Sequence, residues 1–188
     1  MKSIYTCLFL TFTSLILGQS FQEDITTQLA AINMSIFSPI EQNEYKLKED
    51  HSKYFPATFI INHPDKLDVR VEIFSYPKDS TALANPHVQN GMRLGQIMNN
   101  LDDSTISMHR LGSEDLKFYG ADWATQATFH PRIEFSNKRH CQLITIYKEE
   151  VGMVYLYLLF DDLDKYQDDW RYLLGFQNEV IEEVEVEK

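Results

Sequence analysis

The stretch that decides the fold is HCQLITIY (residues 140–147), then KEEVG (148–152), then MVYLYLLF (153–160). Two runs rich in β-branched, aromatic and leucine side chains flank five residues ending in Gly152, the pattern of an antiparallel hairpin. Gly152 is expected at a turn position with positive φ, where the missing Cβ removes the steric cost. The second arm, Val154 to Phe160, is apolar on both faces. The first arm places Leu143 on one face and Ile144 and Ile146 on the other. A ribbon apolar on both faces needs cover on both sides of its sheet, either helices above and below or one helix layer and long loops.

Upstream of this ribbon, Asp122 to Phe129 reads as a strand with Trp123, Thr125, Ala127 and Phe129 on one face, closed by Pro131. Thr105 to His109 reads as a short strand. Residues 86–100 read as a helix, with Asn85 as N-cap and Pro86 in the first position. Val88, Met92, Gly95 and Met98 form one stripe, and Leu94, Ile97 and Leu101 a second beside it. Together they predict a wide buried face, with Gly95 permitting close approach to a sheet.

Leu67 to Tyr76 is the clearest amphipathic strand: Leu67, Val69, Val71 and Ile73 alternate with Asp68, Arg70 and Glu72, and Pro77 ends it. Ala57 to Asn62 reads as its hairpin partner, with His63, Pro64 and Asp65 in the turn. Ile25, Leu29, Ile32 and Ile36 have helical spacing within residues 22–36. Downstream, residues 164–175 are expected to be helical, with Asp161, Asp162 and Asp164 at the positive end. Tyr166, Trp170, Leu173 and Leu174 would be its buried stripe and Gly175 its C-cap. The hairpins predict an α+β fold: a mainly antiparallel sheet sandwiched between helices in a single domain.

The chain has 188 residues, 17 basic and 28 acidic, for a net charge of −11, and 44% of it is apolar. That composition suits a packed globule and argues against disorder. The acidic balance argues against nucleic acid and against docking on anionic lipid. Residues 1–20 read as a signal peptide: Lys2, an apolar run from Ile4 to Leu17, then Gly18 and Ser20 before a cut ahead of Phe21. A cut after Gly18 is nearly as good. The domain then covers 21–178, followed by an acidic tail at 179–188. No later segment reaches the length of a membrane span. With the leader removed, Cys141 is the remaining thiol, and its strand setting predicts a buried small hydrophobe.

Phe118-Tyr119-Gly120-Ala121-Asp122-Trp123 leading into a strand, the hairpin 140–160, and the closing Leu173-Leu174-Gly175-Phe176 together resemble the PsbP-like superfamily, with its Ran-binding Mog-like and secreted bacterial members. The resemblance spans roughly residues 55–176 as a pattern, without a signature motif, and transfers no functional residue. It implies an antiparallel sheet between helices, and a binding or assembly role rather than catalysis.

No G-x-G-x-x-G, Walker loop, H-E-x-x-H or G-x-S-x-G is present. None of His51, His63, His87, His109, His130 and His140 has a partner at zinc-ligand spacing, although two strands could bring His130 and His140 together across a ladder. The aspartates from Asp161 to Asp169 lack the glycine and spacing of a calcium loop. Asp122 with Trp123 could line a pocket, the indole stacking on a ligand and the carboxylate accepting from it. The candidate ligand-binding residues are therefore Asp122, Trp123, His130 and His140, with no catalytic residue, metal or cofactor assigned. The expected function is a secreted or periplasmic non-catalytic binding or assembly module for an unknown protein or small ligand. The alternatives are a carrier of a small ligand or cation, using Trp123 or the aspartates, and an enzyme assembled from Asp122, His130 and His140. Expression in a secreting bacterial host should yield a chain whose first residue, by intact mass, is Phe21 or Gln19; retention of Met1 on exported protein contradicts the leader.

Overall fold

A computed structural model describes residues 23–36, 46–50, 54–62, 67–75, 85–99, 106–162 and 171–177. The first helix, α1, covers 23–31. It is followed by β1 (Met34–Ile36), β2 (Lys46–Lys48), β3 (Phe59–Asn62), β4 (Asp68–Ser75) and α2 (Pro86–Ile97). Then come β5 (Ser107–Arg110), α3 (Ser113–Tyr119), β6 (Trp123–Phe129), β7 (His140–Lys148), β8 (Gly152–Phe160) and β9 (Leu174–Phe176). The leader, the turn at His63 to Asp65, Leu101, Tyr166, Trp170 and the tail at 179–188 lie outside the described residues.

Seven strands form one sheet in the order β2-β3-β4-β8-β7-β6-β5, and β1 pairs with β9 in a second, two-stranded sheet. Every pairing among the described strands is antiparallel. The expected ribbon is present as β7–β8, with His140 opposite Phe160 and Lys148 opposite Gly152. All nine residues of β8 are buried. Strand alternation divides them between two apolar clusters. On one face Val154, Leu156, Leu158 and Phe160 pack with residues of β3, β4 and β7, and with Ile25, Leu29, Tyr119 and Phe176. On the other, Met153, Tyr155, Tyr157 and Leu159 pack with Leu143, Phe129, Leu94, Ile97 and Phe135. The fold is thus mixed α and β with antiparallel sheets.

Several local expectations are corrected. Gly152 does not have positive φ; Glu150 does, at 57°. Glycine is needed at 152 for another reason: a Cβ there would run into the main-chain carbonyl oxygen of Phe74 on β4. Hence β8 can lie against its neighbour at the very start of the strand. The expected closing helix does not reach Gly175. Residues 174–176 form β9, with Gly175 opposite Ser35, and Leu173 and Leu174 are buried from a turn and a strand rather than from a helical stripe. In α2, Val88 and Met92 are exposed while Asn90, Leu94 and Ile97 are buried, so the helix is rotated relative to the predicted stripe. Gly95 is exposed, with open space where its Cβ would be, so it makes no close approach to the sheet. Helix α3 has no counterpart among the expected elements. Its seven residues are closed by Gly120 in the left-handed region (φ 59°), which accounts for the glycine after Tyr119.

Two substitutions of opposite sign check the turn. Gly152→Ala should lower unfolding free energy by about 1–3 kcal/mol, since the added methyl has to displace main chain. Glu150→Gly should raise it by up to about 1 kcal/mol, by relieving left-handed strain. Urea denaturation of both variants measures this directly.

Candidate functional site

Helix α2 is where polar chemistry gathers. Its start is set by Asn85, whose side-chain oxygen accepts from the backbone N–H groups of His87 and Val88. Leu94 and Ile97 are its buried apolar residues. Polar fasteners add to these. Asn90 is buried and donates to Thr125 Oγ1 of β6 (3.2 Å), while Thr145 of β7 donates to Asn90 Oδ1 (2.7 Å). Arg93 pairs with Glu72 of β4 at 2.5 Å. At the other end, Arg132 donates to the carbonyls of Met98 (2.8 Å) and Gly95 (3.1 Å), capping acceptors that the helix cannot satisfy itself.

Among the described residues one twelve-residue helix lies on that face of the seven-stranded sheet, too short to cover it, and a cleft lies along each of its flanks. The larger, about 320 Å³, lies between α2 and the β5–β6 edge. Trp123, Thr125 and Leu94 line its inner wall, His87 and Gly91 its helix side, and Met108 and Arg110 its strand side. His109 also borders it, although alternation along β5 directs the Met108 and Arg110 side chains to this face and that of His109 away. Trp123 is buried and meets the His87 ring edge-on, with centroids 4.7 Å apart at 80°. The smaller cleft, about 160 Å³, lies between α2 and β4–β8 and is lined by Phe74, Met92, Arg93 and Tyr155 among others.

Glu72 sits behind that second cleft and is 3% exposed. Its pKa is pushed up from 4.5 to about 7, because the cost of burying a carboxylate exceeds the pull of the Arg93 guanidinium. That guanidinium also lies over the rings of Tyr155 (5.6 Å) and Phe74 (5.9 Å). The Glu72 carboxyl and the buried Tyr157 hydroxyl interact, and burial pushes Tyr157 well above its ordinary pKa. The amphipathic reading of β4 put Glu72 in solvent; the clothed second face puts it inside.

The expected site residues separate into three places. Trp123 is in the larger cleft. Asp122, beside it in sequence, is exposed, accepts the backbone N–H of Glu149 (2.8 Å) and thereby braces the β7–β8 turn; it does not line the cleft. His130 and His140 do come together across the ladder, with ring centroids 5.0 Å apart. His130 Nδ1–H donates to the Arg139 carbonyl (2.6 Å), and His140 stacks on Phe160. Burial lowers the His140 pKa, with the neighbouring His130 and Arg139 adding to the effect. Among the described residues no three His, Cys, Asp or Glu side chains converge as a metal site would require. Asp161 accepts from Lys138 Nζ (3.0 Å) and from the Arg139 backbone N–H (3.1 Å). Cys141 is fully buried and its thiol is pushed far up, the inert small hydrophobe expected. Among the described residues, no helix is long and apolar enough to cross a membrane.

The sequence reading missed His87 and Arg110 as cleft residues, and Glu72 as a buried acid. Asn90 was the available signal: a polar side chain four residues before Leu94 belongs to the same helical stripe. Comparison with protein-family models, curated proteins and solved structures found no match.

The Glu72 environment has a pH consequence. Its folded pKa lies above its unfolded value, so the native state holds the extra proton between about pH 4.5 and 7. The stability this group contributes is complete below pH 4.5 and is lost as pH rises through 7. The difference in unfolding free energy between wild type and Glu72→Gln should therefore shift by about 3 kcal/mol across that range, falling on the alkaline side. A flat difference in denaturation measured from pH 4 to 8 would refute this.

Proposed function

We propose that the chain is a secreted, non-catalytic binding module, one α+β domain with helices on both sides of its main sheet, and that a small ligand sits between α2 and β5–β6. The observation that carries the reading is the state of the polar groups at the base of the larger cleft. Asn90 and Thr125 border the cleft, but Asn90 is buried and bonded to Thr125 and to Thr145 behind it, so these polar groups are already committed to holding the helix. The rest of the lining is the apolar wall of Trp123, Leu94 and Met108 with His87 and Arg110 among the polar groups beside it, the composition of a binding site. A volume near 320 Å³ is at the small end of the usual range of roughly 300–1,000 Å³, suiting a small molecule. The leader pattern over residues 1–20 supports export, and the acidic balance supports a ligand other than nucleic acid.

Gly91 provides the test. A Cβ there meets nothing within 4 Å and Gly91 lines the cleft, so Gly91→Phe is a substitution that adds a ring on its helix side. Purified protein incubated with the small-molecule fraction of a cell envelope should carry a low-mass adduct by native mass spectrometry, absent in Gly91→Phe. The adduct should be released chemically unchanged. Release of an altered compound would overturn the non-catalytic reading. No adduct on wild type, or an equal adduct on the variant, would overturn the cleft.

A further inference from the structure

We propose that the cleft between α2 and the β5–β6 edge takes a small organic anion with a flat apolar body, its carboxylate or similar group meeting Arg110 and its body lying against Trp123 and Leu94. This rests on the binding reading above and names the ligand class. Arg110 stands opposite Thr125 in the β5–β6 ladder, and so on the same face as Trp123. Among the described residues Arg110 makes no salt bridge, and none of the cleft's lining residues is acidic. In a chain with 28 acidic and 17 basic side chains, a cation without an ion pair among the described residues, at the mouth of an apolar hollow, is out of keeping with its surroundings. The first turn of α2, which brings His87 to the same mouth, also carries no acidic residue, so the positive end of that helix is not neutralised by a side chain there.

The apolar body follows from the same geometry. Arg110 is exposed, and an ion pair in open solvent is weak. A bare inorganic anion would gain little. A ligand that also covers the walls removes water from around the guanidinium and strengthens the contact. Met108, more than half exposed beside Arg110, is a flexible thioether suited to closing over a ring.

Naphthoate, its neutral isostere naphthamide, and inorganic phosphate separate the contributions, each titrated by calorimetry into wild type, Arg110→Gln and Gly91→Phe. Naphthoate should bind wild type at least about tenfold more tightly than naphthamide, in line with a charge-assisted contact. Arg110→Gln should bring the two probes level, Gly91→Phe should bind neither, and phosphate should give no heat on any of the three. Naphthamide binding wild type as tightly as naphthoate would refute the anion assignment and leave the cleft as a neutral binding site. Phosphate binding as tightly as naphthoate would refute the apolar body. Failure of both aromatic probes on wild type, or their undiminished binding to Gly91→Phe, would refute the cleft itself.

Discussion

Strand β8 allows no wet side. Each of its nine residues is buried, and the two sets of side chains that alternate along it feed two separate apolar clusters. Leaving either face open would expose several large side chains, each worth roughly 1.5–3 kcal/mol when fully buried. The rest of the chain is arranged around that demand. One face is met by α1, α3 and the β1–β9 pair, and the other by α2 and the segment carrying Phe135. The close approach at Gly152 belongs to the same requirement, because it lets β8 pair along the whole of β4, Asp68 opposite Leu159 and Ser75 opposite Gly152.

The two coverings differ in chemistry. The first face is closed by apolar contact spread over several elements, backed by hydrogen bonds such as that from the Tyr119 hydroxyl to the Arg171 carbonyl (2.7 Å). The second has, among the described residues, one helix with two buried apolar residues and a set of polar fasteners to three different strands. A helix held by directed bonds keeps a defined height above the sheet without filling the space on either flank. The clefts follow from that arrangement, and Trp123 becomes wall and core at once: buried overall, yet with a surface turned to the larger hollow.

Much of this was legible in the sequence. The β7–β8 ribbon, the β3–β4 hairpin, the shared face of Trp123 with Phe129, and the Asn85–Pro86 helix start all rest on local rules that the structure obeys. The meeting of His130 and His140 was legible as a ladder possibility, because Phe129 and Cys141 are partners one step inside. The failures share one cause: they needed knowledge of what lies opposite. Glu72 reads as a solvent residue until Arg93 is placed over it. Val88 and Met92 read as core until Asn90 is seen bonded to Thr125 and Thr145. Leu174 to Phe176 read as a helix end because the strand that captures them, Met34 to Ile36, is at the far end of the chain.

That capture bears on how the molecule is made. The central pairing of the large sheet joins β4 to β8, strands far apart in sequence, and the smaller sheet joins the first and last described strands. During vectorial synthesis the early strands emerge without their partners, so the native core cannot assemble until the C-terminal part is available. Contact order is high in such a topology, and loop-closure entropy must be met before the distant pairings reward it. Slow acquisition of tertiary structure is the expected consequence, and it would be a property of strand order rather than of any single residue.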